Sequence, residues 1–348
     1  MTGTTENMML PVAVEVTRGD AIESVHCGVA VAVDYTGKVI AHFGDPEYVT
    51  FSRSSLKPLQ ALPTVMRGFP ECLGLEDRHL AVICGSHSGE ECHVQATTEI
   101  LNTIGRTVDD FGCGVHVPII LRNPDGPMPD RAEFSQVYNN CSGKHAGMLA
   151  LAQMLDCPPA DYLLPASPVQ RRIREIVIEM TGVPAGAMYL GTDGCSAPNY
   201  AMPIRCLAHG FARLAQAAGA RTDAHRDDLT RGAARVMAAM RSHPEMVSGT
   251  GRFDLALAEA SRGRCIVKVG GEAIECIAVP ERGWGIVVKV ADGNVRGLGP
   301  FVVDVLRQLD VLDDAALTRL APLARPELKN HRGIVVGTAR SVARLRMN

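Results

Sequence analysis

The chain has 348 residues, of which 46% are hydrophobic and 21% charged, and its formal net charge is −3. This composition is ordinary for a soluble globular protein, and the length allows a large core in one domain or in two closely joined lobes. The weak negative charge argues against a nucleic-acid binder, which needs a basic face, and equally against binding to polyanions or membrane surfaces.

The cysteines and the N-terminus indicate the compartment. The chain has 11 cysteines, an odd number, and they are scattered without the spacing of a disulfide framework. Residues 1–10 lack the basic and apolar regions of a secretory signal. No apolar run approaches the roughly 18 residues that a membrane span needs. We therefore expect a cytoplasmic protein whose thiols are reduced and mostly buried.

Hydrophobic patterning predicts the elements of the first half of the chain. Strands are expected at 11–17, 25–33 and 38–43, and the last two form a hairpin. A helix is expected to begin near Ser54 and to end near Arg67, while the apolar run 79–84 fits either a strand or a helix. Further helices are expected at about 91–104 and 142–155, separated by a long ordered loop or lid at 111–138 that is rich in glycine and proline.

The second half of the chain is helical first and then returns to strands. The expected helices lie at 168–180, 204–218 and 224–240, and the polar, glycine-rich stretch 191–198 between the first two is not core. A short helix precedes strands at 264–269, 273–279 and 284–290, and helices near 299–309 and 313–321 follow. These elements predict an α+β fold in which the N- and C-terminal strands form one antiparallel sheet covered by helices. We expect a single domain, 1–348, with a sheet lobe at about 10–55 and 260–348 and a helical middle lobe at about 56–259.

One short motif suggests catalysis. Ser54 has a lysine three residues later, Lys57, and on a helix that offset places both side chains on one face. A lysine kept neutral by burial could take the serine proton, so the pair could act as nucleophile and base. Pro58 supports a helix start here, because proline is tolerated only in the first turn. The alternative is that Ser54 is a plain N-cap residue.

Two further segments carry polar side chains beside glycines, and two more are considered below for metal binding. The loop from Cys84 to Glu90 contains Ser86, and such loops either bind small polar molecules or cap the following helix. Lys268 ends a strand before two glycines that would let a ligand approach the backbone, although a solvated lysine on an edge strand is the simpler interpretation.

Metal ligands are a second possibility in two of the turns. Cys141, His145, Asp193 and Cys195 offer thiolate, imidazole and carboxylate groups that zinc accepts. Neither segment has the paired C-x-x-C motif of a clear zinc site, so buried structural thiols are an equally open interpretation. A substrate carboxylate could be held by basic or amide side chains, with Arg53, Arg122 and Asn123 as candidates.

Several common catalytic motifs are absent from the sequence. We find no G-x-S-x-G elbow, no Walker A pattern and no convincing G-x-G-x-x-G after a strand. This argues against α/β-hydrolases, kinases and dinucleotide-dependent enzymes.

Taken together and in order, these motifs resemble those of the Rhizobium etli-type (class 3) L-asparaginases, of the asparaginase II family. The likeness covers nearly the whole chain through five motifs, which contain Ser54 and Lys57, Ser86, Cys141 with Lys144 and His145, Asp193 with Cys195, and Lys268. The chain departs from some family members in one respect, since no cysteine lies close to Phe253 and Asp254.

The resemblance implies a fold like that of serine β-lactamases and glutaminases, assembled as a homodimer. It implies two Ser–Lys tandems, Ser54–Lys57 and Ser86–Lys268. It also implies a zinc ion held by Cys141, Lys144 and Cys195, with Asp193 close by, whereas the residue chemistry alone would have favoured His145 as the ligand. His145, Arg53 and Asp193 match residues near the substrate.

The activity that follows from the resemblance is hydrolysis of L-asparagine to L-aspartate and ammonia. Ser54 would attack the side-chain amide, Lys57 would act as base with Lys268 lowering its pKa, and Ser86 would relay a proton to the leaving ammonia. Two alternatives remain open. One is a β-lactamase-like, penicillin-recognising serine hydrolase, which shares Ser-x-x-Lys and a late Lys-x-Gly but normally has an export signal and Ser-Asp-Asn. The other is a non-catalytic zinc- or amino-acid-binding protein.

Overall fold

The computed structural model describes residues 10–122, 126–184, 186–219 and 227–348, and in them the strands form two sheets. Nine strands make the large sheet and three make a small one. In chain order the strands are β1 (Val12–Arg18), β2 (Ala21–Asp34), β3 (Val39–Phe43), β4 (Val49–Phe51), β5 (Tyr189–Thr192), β6 (Pro198–Pro203), β7 (Ile266–Gly270), β8 (Ile274–Val279), β9 (Trp284–Val290), β10 (Glu327–Lys329), β11 (Val335–Ser341) and β12 (Arg346–Met347).

The large sheet joins the two ends of the chain. Its order is β10-β11-β1-β2-β9-β8-β7, and β3 pairs with β2 and with β12. Each of these pairs is antiparallel, and β2 from the N-terminal hairpin lies directly beside β9 from the C-terminal strands. The prediction of one antiparallel sheet from the N- and C-terminal strands is therefore confirmed. The short strands β10 to β12 and the small sheet β4-β6-β5 were not expected.

Helices cover the sheet. They are α1 (Lys57–Val65), α2 (Asp77–Cys84), α3 (Glu91–Thr103), α4 (Ser142–Met154), α5 (Pro168–Thr181), α6 (Ile204–Gly219), α7 (Asp228–Ser242), α8 (Pro244–Val247), α9 (Phe253–Ser261), α10 (Leu298–Gln308) and α11 (Asp314–Ala324). In the described part of the chain, no helix is long and apolar enough to cross a membrane.

Strand β2 shows how one sheet is buried on both faces. Successive side chains of a strand point to opposite faces. Val29, Val31 and Val33 therefore join a core built mainly from α1 to α7, while Ala30 and Ala32 join a second core with α10 and α11. A strand covered on both faces has a nearly continuous apolar sequence rather than an alternating one, which is the pattern of residues 29–33.

Capping bonds explain two differences from the sequence prediction, the type of one element and the start of another. The run 79–84 is the end of helix α2, because His79 Nδ1 accepts the Glu76 backbone N–H at 2.9 Å and closes the first turn. Helix α7 begins at Asp228 instead of residue 224, because the Asp227 side chain accepts the Thr230 N–H at 2.6 Å as an N-cap. Residues 224–226 lie outside the described residues.

The loop at 111–138 is held by specific contacts in its described parts. The Asn139 side chain donates to the carbonyl oxygens of Cys113 and Gly114 at 3.0 and 2.9 Å. Arg122 bonds within the loop, to Val117 O and to His116. It is therefore turned to its own loop and does not contact Ser54. Asn123, the other candidate in this loop, lies outside the described residues.

The contact of α6 with the central strand β9 gives a test of the fold. A Cβ at Gly285 would overlap the carbonyl oxygen of Ala208 and the nitrogen of Ala212, both backbone atoms of α6. We expect Gly285→Ala to destabilise the protein by about 1–3 kcal/mol or more, because helix and sheet would have to separate. Thermal unfolding followed by circular dichroism measures the effect.

Gly232 offers the matched control. It lies inside α7, where an added Cβ would meet the flexible side chain of Met66 at 3.3 Å. Gly232→Ala should leave the melting temperature unchanged or raise it, because alanine favours helices by about 1 kcal/mol over glycine. Equal melting temperatures for the two variants would contradict the packing described here.

Candidate active site

Two buried lysine amines meet at one serine hydroxyl. Lys57 begins helix α1 and is 1% exposed, and Lys268 lies on strand β7 and is 0% exposed. Lys57 Nζ donates to Ser86 Oγ at 3.1 Å, and Lys268 Nζ lies 2.8 Å from the same oxygen. The remaining hydrogen bonds of these amines go to backbone carbonyl groups, those of Gly85 and Asn140 for Lys57 and that of Val269 for Lys268.

The electrostatics of both amines are set by burial. A buried ammonium group loses its hydration, so burial lowers the pKa of Lys57. Burial, reinforced by the positive charge of Lys57, lowers the pKa of Lys268 to about 7. Lys268 therefore loses its proton near neutral pH, and the neutral amine is the form that can accept a proton.

The partner of Lys57 differs from the sequence prediction. In the described residues no hydrogen bond joins Ser54 to Lys57, and Ser54 Oγ instead lies 3.9 Å from Cys141 Sγ. The physical reason is local geometry. Residues Arg53–Leu56 form a 3-10 turn, and helix α1 begins only at Lys57. From this turn the Ser54 hydroxyl lies beside Cys141, while the amine of Lys57 is held by Ser86 and by the carbonyl oxygens of Gly85 and Asn140.

The turn that carries Ser54 is fixed by the small sheet and by β7. Ser52 Oγ donates to Tyr200 O at 2.9 Å, and the Arg53 N–H donates to Asn199 Oδ1 at 3.0 Å. A Cβ on Gly270 would stand 2.8 Å from Ser52 O and 2.9 Å from Ser55 N, so glycine lets the edge strand pack directly on this turn. Ser54 itself is half-buried, whereas Ser86 is 3% exposed.

Arg53 forms an ion pair with Asp193 and also borders a cavity. Arg53 has a positive φ of 47°, which turns its side chain to the Asp193 carboxylate. Burial alone would raise the pKa of Asp193, but the charges of Lys144 and Arg53 lower it below its usual value. The cavity has a volume of about 390 Å³, and its lining includes Arg53, Asn199, Glu272 and Lys289. Of the three residues predicted to lie near a substrate, Arg53 borders this cavity, whereas Asp193 and His145 are not among its lining residues.

The three residues expected to bind zinc lie together. Lys144 Nζ lies 2.9 Å from Cys195 Sγ, and Cys195 Sγ lies 3.7 Å from Asp193 Oδ2. A hydrogen bond from Cys195, with the positive charges of Lys57 and Lys144, lowers the pKa of the Cys141 thiol well below its ordinary value. In the described residues no three side chains drawn from His, Cys, Asp and Glu could hold a metal ion. A zinc ion here would therefore need the amine of Lys144.

His145 is not part of the thiol cluster. Its Nδ1 lies 2.6 Å from the Tyr162 hydroxyl, and its ring packs edge-on against Phe111 and Tyr162. Burial, with the charges of Lys144 and Lys57, lowers the pKa of His145 well below its usual value, so the ring is neutral. Its Nε2 has no hydrogen-bond partner among the described residues.

All 11 cysteines lie in the described part of the chain and are free.

Sequence reasoning missed four residues that shape the site. Asn199 holds the backbone of Arg53, and Arg252 donates through Nη1 to the carbonyl oxygen of Ser86. Asn140 O accepts from Lys57, and Tyr162 holds His145. Asn140 lies in the motif that contains Cys141, Lys144 and His145, whereas Asn199, Arg252 and Tyr162 lie in none of the five motifs. Of the two roles considered for the loop around Ser86, helix capping is observed, since the Glu90 N–H at its end donates to His93 Nδ1 in the first turn of α3.

Comparison with known proteins identifies the family. A family model described as L-asparaginase II matches residues 14–341, so the chain belongs to the L-asparaginase II family, as the motifs predicted. It is accordingly an amidohydrolase. Among curated proteins, none matches the chain in sequence.

Solved structures that are similar to the chain are distant. A β-lactamase from Mycobacterium bovis is 15% identical, with a TM-score of 0.43, over 81% of this chain and 94% of that one. A Bacillus subtilis glutaminase, solved as a covalent complex with 5-oxo-L-norleucine, is 13% identical, with a TM-score of 0.39, over 85% and 93%. The family assignment rests on the sequence model alone.

Proposed function

We propose that this member of the L-asparaginase II family hydrolyses L-asparagine to L-aspartate and ammonia through a serine-bound acyl intermediate. The observation that carries the proposal is the pair of buried lysine amines at Ser86. One of the two, Lys57, lies three residues after Ser54. An amine without its proton is a base, and two of them beside hydroxyl groups form a unit for nucleophilic catalysis. Because the family consists of amidohydrolases, we infer that the bond cleaved is an amide.

Substrate recognition is assigned to the ion pair of Arg53 and Asp193. An amino acid carries a carboxylate and an ammonium group a few ångströms apart, and Arg53 and Asp193 present the complementary charges side by side. Arg53 would hold the carboxylate, for which a guanidinium group is well suited. Asp193 would hold the ammonium group. His145, through its free Nε2, is the third residue proposed to border the substrate.

The chemical steps use the two serines and the two buried lysines. Ser54 attacks the side-chain amide carbon, because it is half-buried beside Arg53 whereas Ser86 is enclosed between the two amines. The serine proton passes to Lys57, and the hydrogen-bonded unit of Lys57, Ser86 and Lys268 delivers a proton to the leaving ammonia. Water then hydrolyses the acyl-enzyme and releases aspartate.

We also propose that Cys141, Lys144 and Cys195 hold a zinc ion, with Asp193 adjacent. The donor set fits, because two neighbouring thiols and an amine in contact with one of them are bases that zinc accepts once they lose their protons. Zinc bound here would supply positive charge that orients the substrate. The homodimer and the cytoplasmic location implied by the sequence stay predictions.

The serine assignment can be tested by ammonia release. We expect Ser54→Ala to lower kcat/KM for asparagine by about 10³-fold or more, since removal of a nucleophile leaves only binding and electrostatic effects. Ser86→Ala should also be impaired, because the proton relay is broken. A coupled ammonia assay on asparagine, glutamine and buffer measures this, and a diazoketone analogue of asparagine should label Ser54 in peptide mapping.

Ser88→Ala is the matched control. Ser88 lies in the same loop as Ser86, is buried, and its hydroxyl has no hydrogen-bond partner among the described residues. It should retain near-normal activity. Near-normal asparagine hydrolysis by Ser54→Ala, or a label on Ser86, would refute the nucleophile assignment. Turnover of nitrocefin without ammonia release from asparagine would favour the β-lactamase-like alternative, and binding without any ammonia release would favour the amino-acid sensor.

The rate should depend on pH through Lys268. Its pKa of about 7 means that the reactive amine is formed as pH rises through neutrality. We expect kcat/KM for asparagine to rise with pH about a midpoint near 7, and Lys268→Met to lose most of the activity at every pH. Initial rates between pH 5 and 9 test this. A wild-type profile that is flat from pH 5 to 8 would show that Lys268 is not the titrating base.

The zinc site can be tested without an activity assay. Purified wild-type protein should contain about one zinc per chain by elemental analysis, and Cys141→Ala and Cys195→Ala should lose most of it. Cys113→Ala is the control, because that thiol is also buried but bonds to Gln136 instead. Unchanged zinc in both ligand variants, or none in the wild type, would end the proposal.

A further inference from the structure

Two buried carboxyl groups lie behind strand β7 and take no part in the mechanism above. Asp254, in the first turn of α9, is 3% exposed, and Glu275, on β8, is 0% exposed. Both oxygens of Glu275 and Oδ2 of Asp254 have no hydrogen-bond partner among the described residues. Burying an unpartnered carboxylate is strongly unfavourable, so such groups need a functional or structural reason.

The register of the strands places Glu275 beside the catalytic strand but on its other face. In the β7–β8 pair, Lys268 lies opposite Cys276 and Val269 lies opposite Glu275. Since side chains alternate along a strand, Lys268 points to the face that carries Ser86 and Glu275 points to the face that carries α9 and α10. The two cores agree with this, because Cys276 belongs to the first and Ile277 to the second.

The carboxyl groups are linked to the active site through Arg252, at the start of α9. Arg252 Nε lies 3.4 Å from Asp254 Oδ1, and its Nη1 donates to the carbonyl oxygen of Ser86. A second link runs through Val269, whose carbonyl oxygen accepts from Lys268 Nζ at 2.7 Å and whose partner across the ladder is Glu275. Asp254 is therefore linked to the backbone of Ser86 through Arg252, and Glu275 is paired with Val269, whose carbonyl oxygen binds Lys268.

The charges around Lys268 oppose one another. Burial lowers the pKa of Lys268, the positive charges of Lys57 and Arg252 lower it further, and the negative charges of Asp254 and Glu275 raise it. Burial raises the pKa of Glu275 well above its usual value, and Asp254 raises it further while Lys268 lowers it. The titratable and charged groups that face this pair are Lys57 from α1, Cys84 from α2, Arg252 and Asp254 from the start of α9, and Cys276 from β8.

We propose that Glu275 and Asp254 are positioning residues for the proposed hydrolysis, forming a carboxyl pair that sets the charge of Lys268 from the far side of the strand. Asp254 is the member paired with Arg252, and Glu275 is the member that shares a proton with Lys268. Glu275 and Lys268 are two sites for one proton. Either both are neutral, with the proton on Glu275, or the proton is on Lys268 and the two form an ion pair. The inference rests on the role proposed for Lys268.

Asp254 borders open space on the far face of β7, away from the cavity beside Arg53. Arg252, Asp254 and Val269 border a cleft of about 410 Å³ on the far face, together with residues of α10 and α11. Asp254 also borders a small cavity of about 30 Å³, enough for a water molecule. Proton exchange with solvent can thus occur behind β7 while substrate fills the cavity beside Arg53.

The first experiment measures kcat/KM for ammonia release against pH in Glu275→Gln and Asp254→Asn. Each change removes a carboxyl group whose ionised form favours the ammonium form of Lys268, so the reactive amine should persist to lower pH. We expect the acid limb of both variants to shift to lower pH, and at pH 6 each should retain a several-fold larger fraction of its maximal rate than the wild type. Glu259→Gln, an exposed position on α9, is the control and should keep the wild-type profile.

The second experiment needs no substrate. The pKa of Glu275 is higher in the folded chain than the 4.5 of an unfolded one, so the stability it contributes is lost as pH rises above about 4.5. Glu275→Gln should remove this loss and gain stability relative to wild type as pH rises. In a Lys268→Met background the same change should have a different pH dependence, because the ion pair can no longer form.

The outcomes separate the two proposals. An acid limb that does not move in either carboxyl variant, or a Glu275 effect on stability that is identical with and without Lys268, overturns the carboxyl pair. Absence of ammonia release from any amide would refute the proposed function and leave the stability experiment to decide the inference by itself. Should Glu275→Gln not fold, Glu275→Met replaces it in both experiments.

Discussion

The burial of two lysines beside one serine is the constraint from which the rest of the site follows. A lysine side chain is almost never fully buried unless its charge is compensated or its proton is lost, because the ammonium group is strongly hydrated. Here Lys57 and Lys268 are both within hydrogen-bond distance of Ser86 Oγ. Two positive charges on one buried oxygen would repel one another as well as lose their hydration. The arrangement is stable only with fewer protons than free lysines hold, and an amine without a proton is what amide hydrolysis requires.

The scaffold meets this constraint by bringing together three segments that are far apart in sequence. Lys57 begins a helix, so its backbone is fixed by the first turn, and Lys268 belongs to an edge strand that is paired on only one side. The strand reaches the turn that carries Ser54 because Gly270 has no side chain to hold the two backbones apart. The loop with Ser86 is held from behind by the backbone pairing of Ser86 N–H with Val247 O at 2.8 Å. A site made of rigid elements keeps catalytic distances short without a bound substrate.

The sequence predicted the parts of the molecule whose signals are local. Periodicity located most of the helices and the strands of the main sheet. It did not decide whether residues 79–84 are helix or strand, or where α7 begins, because these depend on capping bonds at His79 and Asp227. The partner of Lys57 could not be predicted from spacing. The Ser-x-x-Lys offset indicates a pair on one helix, whereas the lysine bonds to Ser86, 29 residues away, because the tertiary fold brings that loop to the buried amine. The bond between Lys268 and Ser86 spans 182 residues, and only the resemblance to a family indicated it. Glu275 could not be found at all, since its chemistry depends on burial and not on its neighbours in sequence.

Strand β7 separates two environments that act on the same lysine. On one face, Arg53, which is paired with Asp193, borders a cavity of about 390 Å³. On the other face, three carboxyl oxygens of Glu275 and Asp254 have no hydrogen-bond partner among the described residues, and Arg252 lies beside Asp254. Because the dielectric constant inside a protein is low, charges on the far face act on Lys268 through the strand almost unscreened. In the proposal above, β7 therefore holds Lys268 at the substrate site, while Glu275 and Asp254 on its other face influence the charge of that lysine.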